Sequence, residues 1–271
     1  MEFTKMQGAG NDFIFLLDLD LRYFGLESKI AKNMCDRHFG IGADGLVLVR
    51  KSNIADIKMV IINSDGSLAN MCGNATRCFA KYVYEKGIVE KELITLETGD
   101  GIKELSLKVK DNKVYEVKVC MGEGSFDGVK IPLNNKKDLI NEEIIINGDI
   151  IKMTSVLVGV PHTVIIDSMY DVIKGKEIEK FELFSEGTNV NFVTIKDRDN
   201  INVDTWERGA GATLACGTGC SASVLVTNKL GLTSNRVNVK VPGGNLIIEI
   251  NDGKIYMIGN SEFICEGIMY Q

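Results

Sequence analysis

Histidine is nearly absent from this chain of 271 residues, which holds only His38 and His162. That scarcity, and the lack of short ligand spacing around Cys72 and Cys78, argues against a zinc site. Proline is as rare, with three residues against 28 glycines. No apolar run approaches the roughly 20 residues needed to cross a bilayer. The opening residues, Met1-Glu2-Phe3-Thr4-Lys5-Met6, lack the apolar core and cleavage site of a signal peptide. Basic charge is also short, and the formal net charge of −6 has the wrong sign for a phosphate-binding surface. The seven cysteines are odd in number and scattered, which does not describe a disulfide framework. These absences exclude several classes and leave a cytoplasmic globular protein that binds neither nucleic acid nor membrane and needs no metal.

What is present is ordinary for such a protein: 45% apolar and 25% charged residues. Alternating Val/Ile stretches between tight turns predict a β-rich chain. Strands are expected at 12–17, 45–49, 57–63, 105–109, 114–119, 156–158, 163–166, 191–196, 201–206, 237–241, 246–250 and 254–259. Asp111-Asn112-Lys113 and Asn251-Asp252-Gly253 read as hairpin turns. Helical patterns are fewer, at 28–35, 73–86, about 170–177, and 217–230. The second and fourth are apolar around most of their surface, which predicts helices buried on nearly all sides.

Each of those two helices begins immediately after a cysteine, in Met71-Cys72-Gly73-Asn74-Ala75-Thr76 and Ala215-Cys216-Gly217-Thr218-Gly219-Cys220. A thiol at a helix N-terminus feels the positive end of the macrodipole, which favours thiolate. The N–H groups of Gly73 and Asn74, and of Gly217 and Thr218, are expected to receive a carboxylate there. Two such elements, one per half of the chain, suggest two thiols that take a proton from one face of a carbon and return it to the other. Cys35, Cys78, Cys120, Cys220 and Cys265 read instead as small buried hydrophobes.

Five blocks carry a further signal. They are Lys5-Met6-Gln7-Gly8-Ala9-Gly10-Asn11-Asp12-Phe13, the stretch from Asn63 to Cys72, Gly159-Val160-Pro161-His162, Thr188-Asn189-Val190-Asn191-Phe192, and the stretch from Trp206 to Gly219. Asn63 and Glu207 each stand nine positions before their cysteine. In this order the blocks resemble the diaminopimelate epimerase family, over Lys5 to Gly219. The resemblance implies an α+β fold of two pseudo-symmetric domains, each a β-barrel-like sheet around a central helix. The polar stretch 122–135 sets a boundary near 118, and the resemblance implies that the C-terminal strand, near 263–270, returns to the first domain, giving 1–117 plus 263–271, carrying Cys72, and 118–262, carrying Cys216.

The resemblance also implies a two-base isomerase without pyridoxal phosphate or any other cofactor. Cys72 and Cys216 would exchange the proton, with His162 tuning the first and Glu207 the second. A small amino acid would be held by Asn11, Asn63, Gly73, Asn74, Asn189, Glu207, Arg208, Gly217 and Thr218. Arg208 would grip a distal carboxylate in a bidentate fork. A homodimer is the family-level expectation. One position departs from the family pattern: Val160 stands where Asn is usual. The leading reading is therefore an epimerase of LL- and meso-diaminopimelate, serving lysine and peptidoglycan synthesis. The alternatives are a cofactor-independent racemase of another amino acid, such as histidine or lanthionine, and a non-catalytic ligand-binding protein on the same scaffold.

Overall fold

The computed structural model describes residues 1–167 and 169–270. The chain divides into two compact units: Met1–Val119 with the described residues from Gly259 on, and Cys120–Ile258. Gln271, the last residue of the first predicted domain, lies outside the described residues.

The first unit contains β1 (Glu2–Gly8), β2 (Asn11–Leu17), α1 (Glu27–Cys35), β3 (Gly45–Arg50), β4 (Ile57–Asn63), β5 (Leu68–Ala69), α2 (Gly73–Glu85), β6 (Leu93–Thr98), β7 (Gly101–Lys110) and β8 (Lys113–Glu123). The second contains β9 (Glu142–Ile146), β10 (Asp149–Val158), β11 (Val160–Ile166), α3 (Gly175–Glu179), β12 (Asn189–Asp197), β13 (Asn200–Glu207), β14 (Gly211–Thr213), α4 (Gly217–Lys229), β15 (Arg236–Val241), β16 (Gly244–Asn251) and β17 (Lys254–Gly259). The last strand, β18 (Glu262–Ile268), pairs antiparallel with β1.

The two units repeat one topology. In the first, β1–β2 is antiparallel, β2–β3 parallel, β3–β4 antiparallel, β4–β6 parallel, and β6–β7 and β7–β8 antiparallel. In the second, β10–β11, β11–β12, β12–β13, β13–β15, β15–β16 and β16–β17 follow the same alternation. The short strands β5 and β14 hold equivalent places after β4 and β13. So do the helices, α1 with α3 and α2 with α4, each in a crossover between parallel neighbours.

Within each unit the strands wrap the long helix. The α2 helix touches β1, β2, β4 and β7, and α4 touches β10, β11, β12, β13 and β16. The α4 sequence is a poor helix former by propensity, with Gly, Ser, Thr and Val at most positions. Burial holds it: Val224 and Val226 have no exposure, and each contributes about 1.5–3 kcal/mol relative to an exposed position. Its hydroxyls are satisfied within the helix, with Ser221 Oγ donating to the Gly217 carbonyl at 2.9 Å and Ser223 Oγ to that of Gly219 at 2.8 Å. A buried polar helix thus carries no stranded hydroxyl.

The hairpin turns form as expected. Asp111 and Asn112 (φ 51 and 57) and Asp252 and Gly253 (φ 50 and 78) adopt left-handed backbone, as a two-residue hairpin loop requires. One helix differs. The helix expected at about 170–177 starts two residues later and runs further: Asp171 caps it by accepting from the Ile173 N–H, a tight 3-10 turn, Val172–Lys174, opens it, and α3 continues from Gly175 to Glu179. Short strands β5, β9 and β14, and the longer β1 and β6, are additions to the sequence reading.

Candidate active site

Both cysteines sit at the N-cap of a 13-residue helix in extended backbone: Cys72 at φ −143 and ψ 119, Cys216 at φ −119 and ψ 110. Neither helix start is closed by a side-chain cap bond. The first N–H groups therefore face outward from the helix end, where an anion is favoured.

In the first unit Cys72 is half-buried. Its Sγ donates to Asn11 Oδ1 at 3.7 Å, and Asn74 Nδ2 donates to the same oxygen at 3.3 Å. The orientation of these amides follows from their other partners. Arg77, fully buried, donates from Nη2 to Asn74 Oδ1 at 3.0 Å. Asn11 Nδ2 donates to Asp44 Oδ2 at 2.5 Å. Asp44 in turn pairs with Arg37 at 2.8 Å. Asn11, Cys72, Gly73 and Asn74 thus come together. Asn63 closes β4 on an exposed turn, with Nδ2 donating to Ser67 Oγ at 2.9 Å.

In the second unit Cys216 is buried, 6% exposed. The helix end was expected to favour thiolate, but burial dominates and the Glu207 carboxylate adds to it, so the thiol is held well above its ordinary range. Two groups pull the other way: Thr218 Oγ1, 3.4 Å from Sγ, and the Gly219 N–H. Gly219 has no room for a side chain, since a Cβ there would stand 2.4 Å from Asn191 Oδ1. Glu207 is itself fixed by Thr213, whose Oγ1 donates to Oε1 at 2.6 Å.

His162 lies on β11 with no exposure. Asn191 Nδ2 is 3.1 Å from its Nδ1, and Thr205 Oγ1 donates to Asn191 Oδ1 at 3.1 Å. This pattern assigns Asn191 as donor, so His162 carries its proton on Nε2. Among the described residues Nε2 has no hydrogen-bond partner. Burial first, and the Arg208 charge among lesser causes, hold the imidazole down to about 3, so it is neutral. His162 therefore offers one unspent N–H.

Asn189 is buried and fully engaged: Nδ2 donates to the Pro161 carbonyl at 3.0 Å, and Oδ1 accepts from the Arg208 N–H at 2.8 Å. Arg208 is exposed yet pinned, with Nη1 donating to the Glu186 carbonyl at 2.6 Å. No carboxylate among the described residues forms an ion pair with it. Val160 begins β11 and is 37% exposed. Sequence reasoning missed Asp44, Asn191, Thr213 and Glu179. Asn191 and Thr213 stood inside recognised blocks; Glu179 gains meaning only through partners distant in the chain.

Among the described residues no group of three or more His, Cys, Asp or Glu is placed to hold a metal. Nor is any helix among the described residues long and apolar enough to cross a membrane.

Known proteins resemble this chain in sequence and in fold. A sequence model described as diaminopimelate epimerase matches residues 3–126 and 154–264. A diaminopimelate epimerase of Clostridium perfringens is 53% identical over 268 residues, covering 98% of each chain. That of Caldanaerobacter subterraneus subsp. tengcongensis is 50% identical over 274 residues, again with 98% of each covered. Among solved structures, a probable proline racemase from Agrobacterium radiobacter superposes with a TM-score of 0.74 at 14% identity, covering 99% of this chain and 92% of its own. A PhzF-family protein of Bacillus anthracis gives 0.72 at 15% identity, covering 100% and 99%. These two show the shared two-domain α+β fold. On the strength of the family match and the full-length relatives, this chain belongs to the diaminopimelate epimerase family.

Proposed function

We propose that the protein interconverts LL- and meso-diaminopimelate by a two-base mechanism in which Cys72 and Cys216 act on one α-carbon. The observation that carries this is the repetition of a cysteine at the uncapped start of the long helix in each unit. An α-proton of an amino acid is a very weak acid, so its removal needs a strong base and a place for the charge. A thiolate whose pKa is raised by burial is scarce at rest and correspondingly stronger as a base once formed.

The step balances simply. One thiolate takes the α-proton, the electron pair spreads into the adjacent carboxylate, and the other thiol delivers its proton to the opposite face. The thiols have then exchanged roles, and the reverse reaction uses them in the other order. The N–H groups at Gly73–Asn74 and Gly217–Thr218 stabilise the carboxylate as charge develops; losing one such donor costs about 2.7–4 kcal/mol in barrier. Glu207 keeps Cys216 in the thiol form before substrate arrives. Neutral His162 contributes an N–H donor through Nε2 rather than a base. Arg208, pinned and without a carboxylate partner, takes the distal carboxylate, helped by Asn63 and by the Asn189 that holds its backbone. Asn11 orients the reacting end. The same reading carries a cytoplasmic location, where thiols stay reduced, and a homodimeric assembly.

The test is α-proton exchange in D₂O, followed by proton NMR, with LL-diaminopimelate beside L-lysine, L-histidine and lanthionine. Exchange confined to diaminopimelate is expected. Exchange on histidine or lanthionine alone would move the substrate while keeping the two thiols. Binding without exchange on any of them would contradict catalysis.

A further inference from the structure

Glu179 ends α3 and is the one buried carboxylate among the described residues of the second unit, 6% exposed. Its two oxygens serve two different donors. Oε2 accepts from the Trp206 indole Nε1 at 2.7 Å, and Oε1 accepts from the Gly209 N–H at 3.2 Å. Those donors flank Glu207 and Arg208 on either side. The residue's main chain continues the same support: the Thr188 N–H donates to the Glu179 carbonyl at 3.2 Å, one residue before Asn189. Gly187 lies between, in left-handed backbone at φ +71. A Cβ there would stand 3.0 Å from the Glu179 carbonyl and 3.1 Å from Arg208 Cδ, so the missing side chain leaves room for the arginine stem.

We infer that Glu179 is a positioning residue that sets the Glu207-Arg208 turn and thereby the reach of Arg208 toward the distal end of the substrate. The inference rests on the reading of Arg208 given above. The chemistry required is narrow. Both partners are N–H donors, so the group between them must accept at both ends, which a carboxylate does and an amide does not. In Glu179→Gln the amide oxygen can face only one donor, and its NH₂ then confronts the other. The shorter bond, to Trp206, is the one retained, and the Gly209 N–H is left unpaired. Removing the indole donor as well, in Glu179→Gln with Trp206→Phe, frees the amide oxygen for Gly209 and rebuilds the turn.

The experiment measures α-proton exchange on LL-diaminopimelate for the wild-type protein, Glu179→Gln, Trp206→Phe and the double variant, with thermal melts to verify folding. Glu179→Gln is expected to raise KM roughly tenfold, the loss of one hydrogen bond to a charged acceptor, with kcat changed less. The double variant is expected to recover most of that KM increase, although it carries two substitutions. Trp206, the only tryptophan, should change its emission in Glu179→Gln at equal fold stability. A KM unchanged in Glu179→Gln, a fall confined to kcat, or a double variant no better than Glu179→Gln would overturn the inference while leaving the activity in place. Absence of diaminopimelate exchange in the wild-type protein would overturn the reading of Arg208 and this inference together.

Discussion

The two units share a topology and differ in charge. Each places a cysteine at the start of its central helix, nine positions after the end of the fourth strand of its repeat. At that strand end the first unit has Asn63-Ser64 and the second Glu207-Arg208. At the start of the second strand of the repeat the first has Asn11 and the second Val160. Around Cys72 stand neutral amides, with Asn11 Oδ1 receiving the thiol; near Cys216 stands a carboxylate that adds to the effect of burial. Duplication thus supplies the same thiol geometry twice, while the charged pair Glu207-Arg208, whose carboxylate raises one thiol, occurs once. The chemistry is symmetric in its backbone and asymmetric in its side chains.

The largest effect should come from the shared element. Cys72→Ser and Cys216→Ser should each lower turnover by about 10³-fold or more, because proton transfer by a positioned group contributes on that scale. Unequal losses, with one variant near wild-type rate in steady-state exchange assays, would break the equivalence of the units. Next is the charged pair. Arg208→Ala should raise KM for diaminopimelate roughly 10- to 100-fold, as expected for a charge-assisted contact, whereas Ser64→Ala at the equivalent place should change it little. Kinetics on both variants check the contrast.

Acid stability should also distinguish the units, since His162 belongs to the second. Its folded-state value is depressed to about 3, so below about 6.5 the unfolded chain takes up a proton that the folded protein refuses. Each pH unit in that window should cost about 1.4 kcal/mol of stability, until the folded protein itself titrates near 3. Denaturant melts between pH 7 and 4.5 measure this slope, which His162→Gln should flatten. A finer probe is Glu207→Gln: removing the carboxylate should lower the Cys216 value and speed its alkylation at pH 8, read by peptide mapping, while slowing turnover. The smallest effect is expected at Val160→Asn, which should lower KM a few-fold if a polar contact is restored.

Much of this was legible in the sequence because it depends on local pattern. A cysteine followed by glycine at the head of an apolar run marks a buried helix start without any tertiary information, and the hairpin turns announce themselves through Asn, Asp and Gly. The strand β1 is hard to read because its buried face carries Thr4, Met6 and Gly8, of which only Met6 is a large apolar residue; it becomes evident only from pairing with β2 and β18. The helix at about 170–177 is legible in its pattern, but its start is set by Asp171, which accepts from the Ile173 N–H and so delays the first turn to Val172. The thiol state of Cys216 does not follow from the helix dipole, which is local, whereas desolvation depends on the whole fold. Glu179, in a run of charged residues, reads as solvated surface until its carboxylate is seen between Trp206 and Gly209.

The most direct test of two thiols working from opposite faces is early-time exchange in D₂O starting from pure LL-diaminopimelate with wild-type protein. Product and recovered substrate are separated before equilibrium. The expected result is deuterium at the inverted α-carbon of the meso product and almost none in recovered LL-substrate, because the acid that returns the proton is not the base that took it. Deuterium entering recovered substrate as fast as product forms would mean a single base serving both faces, and would contradict the account.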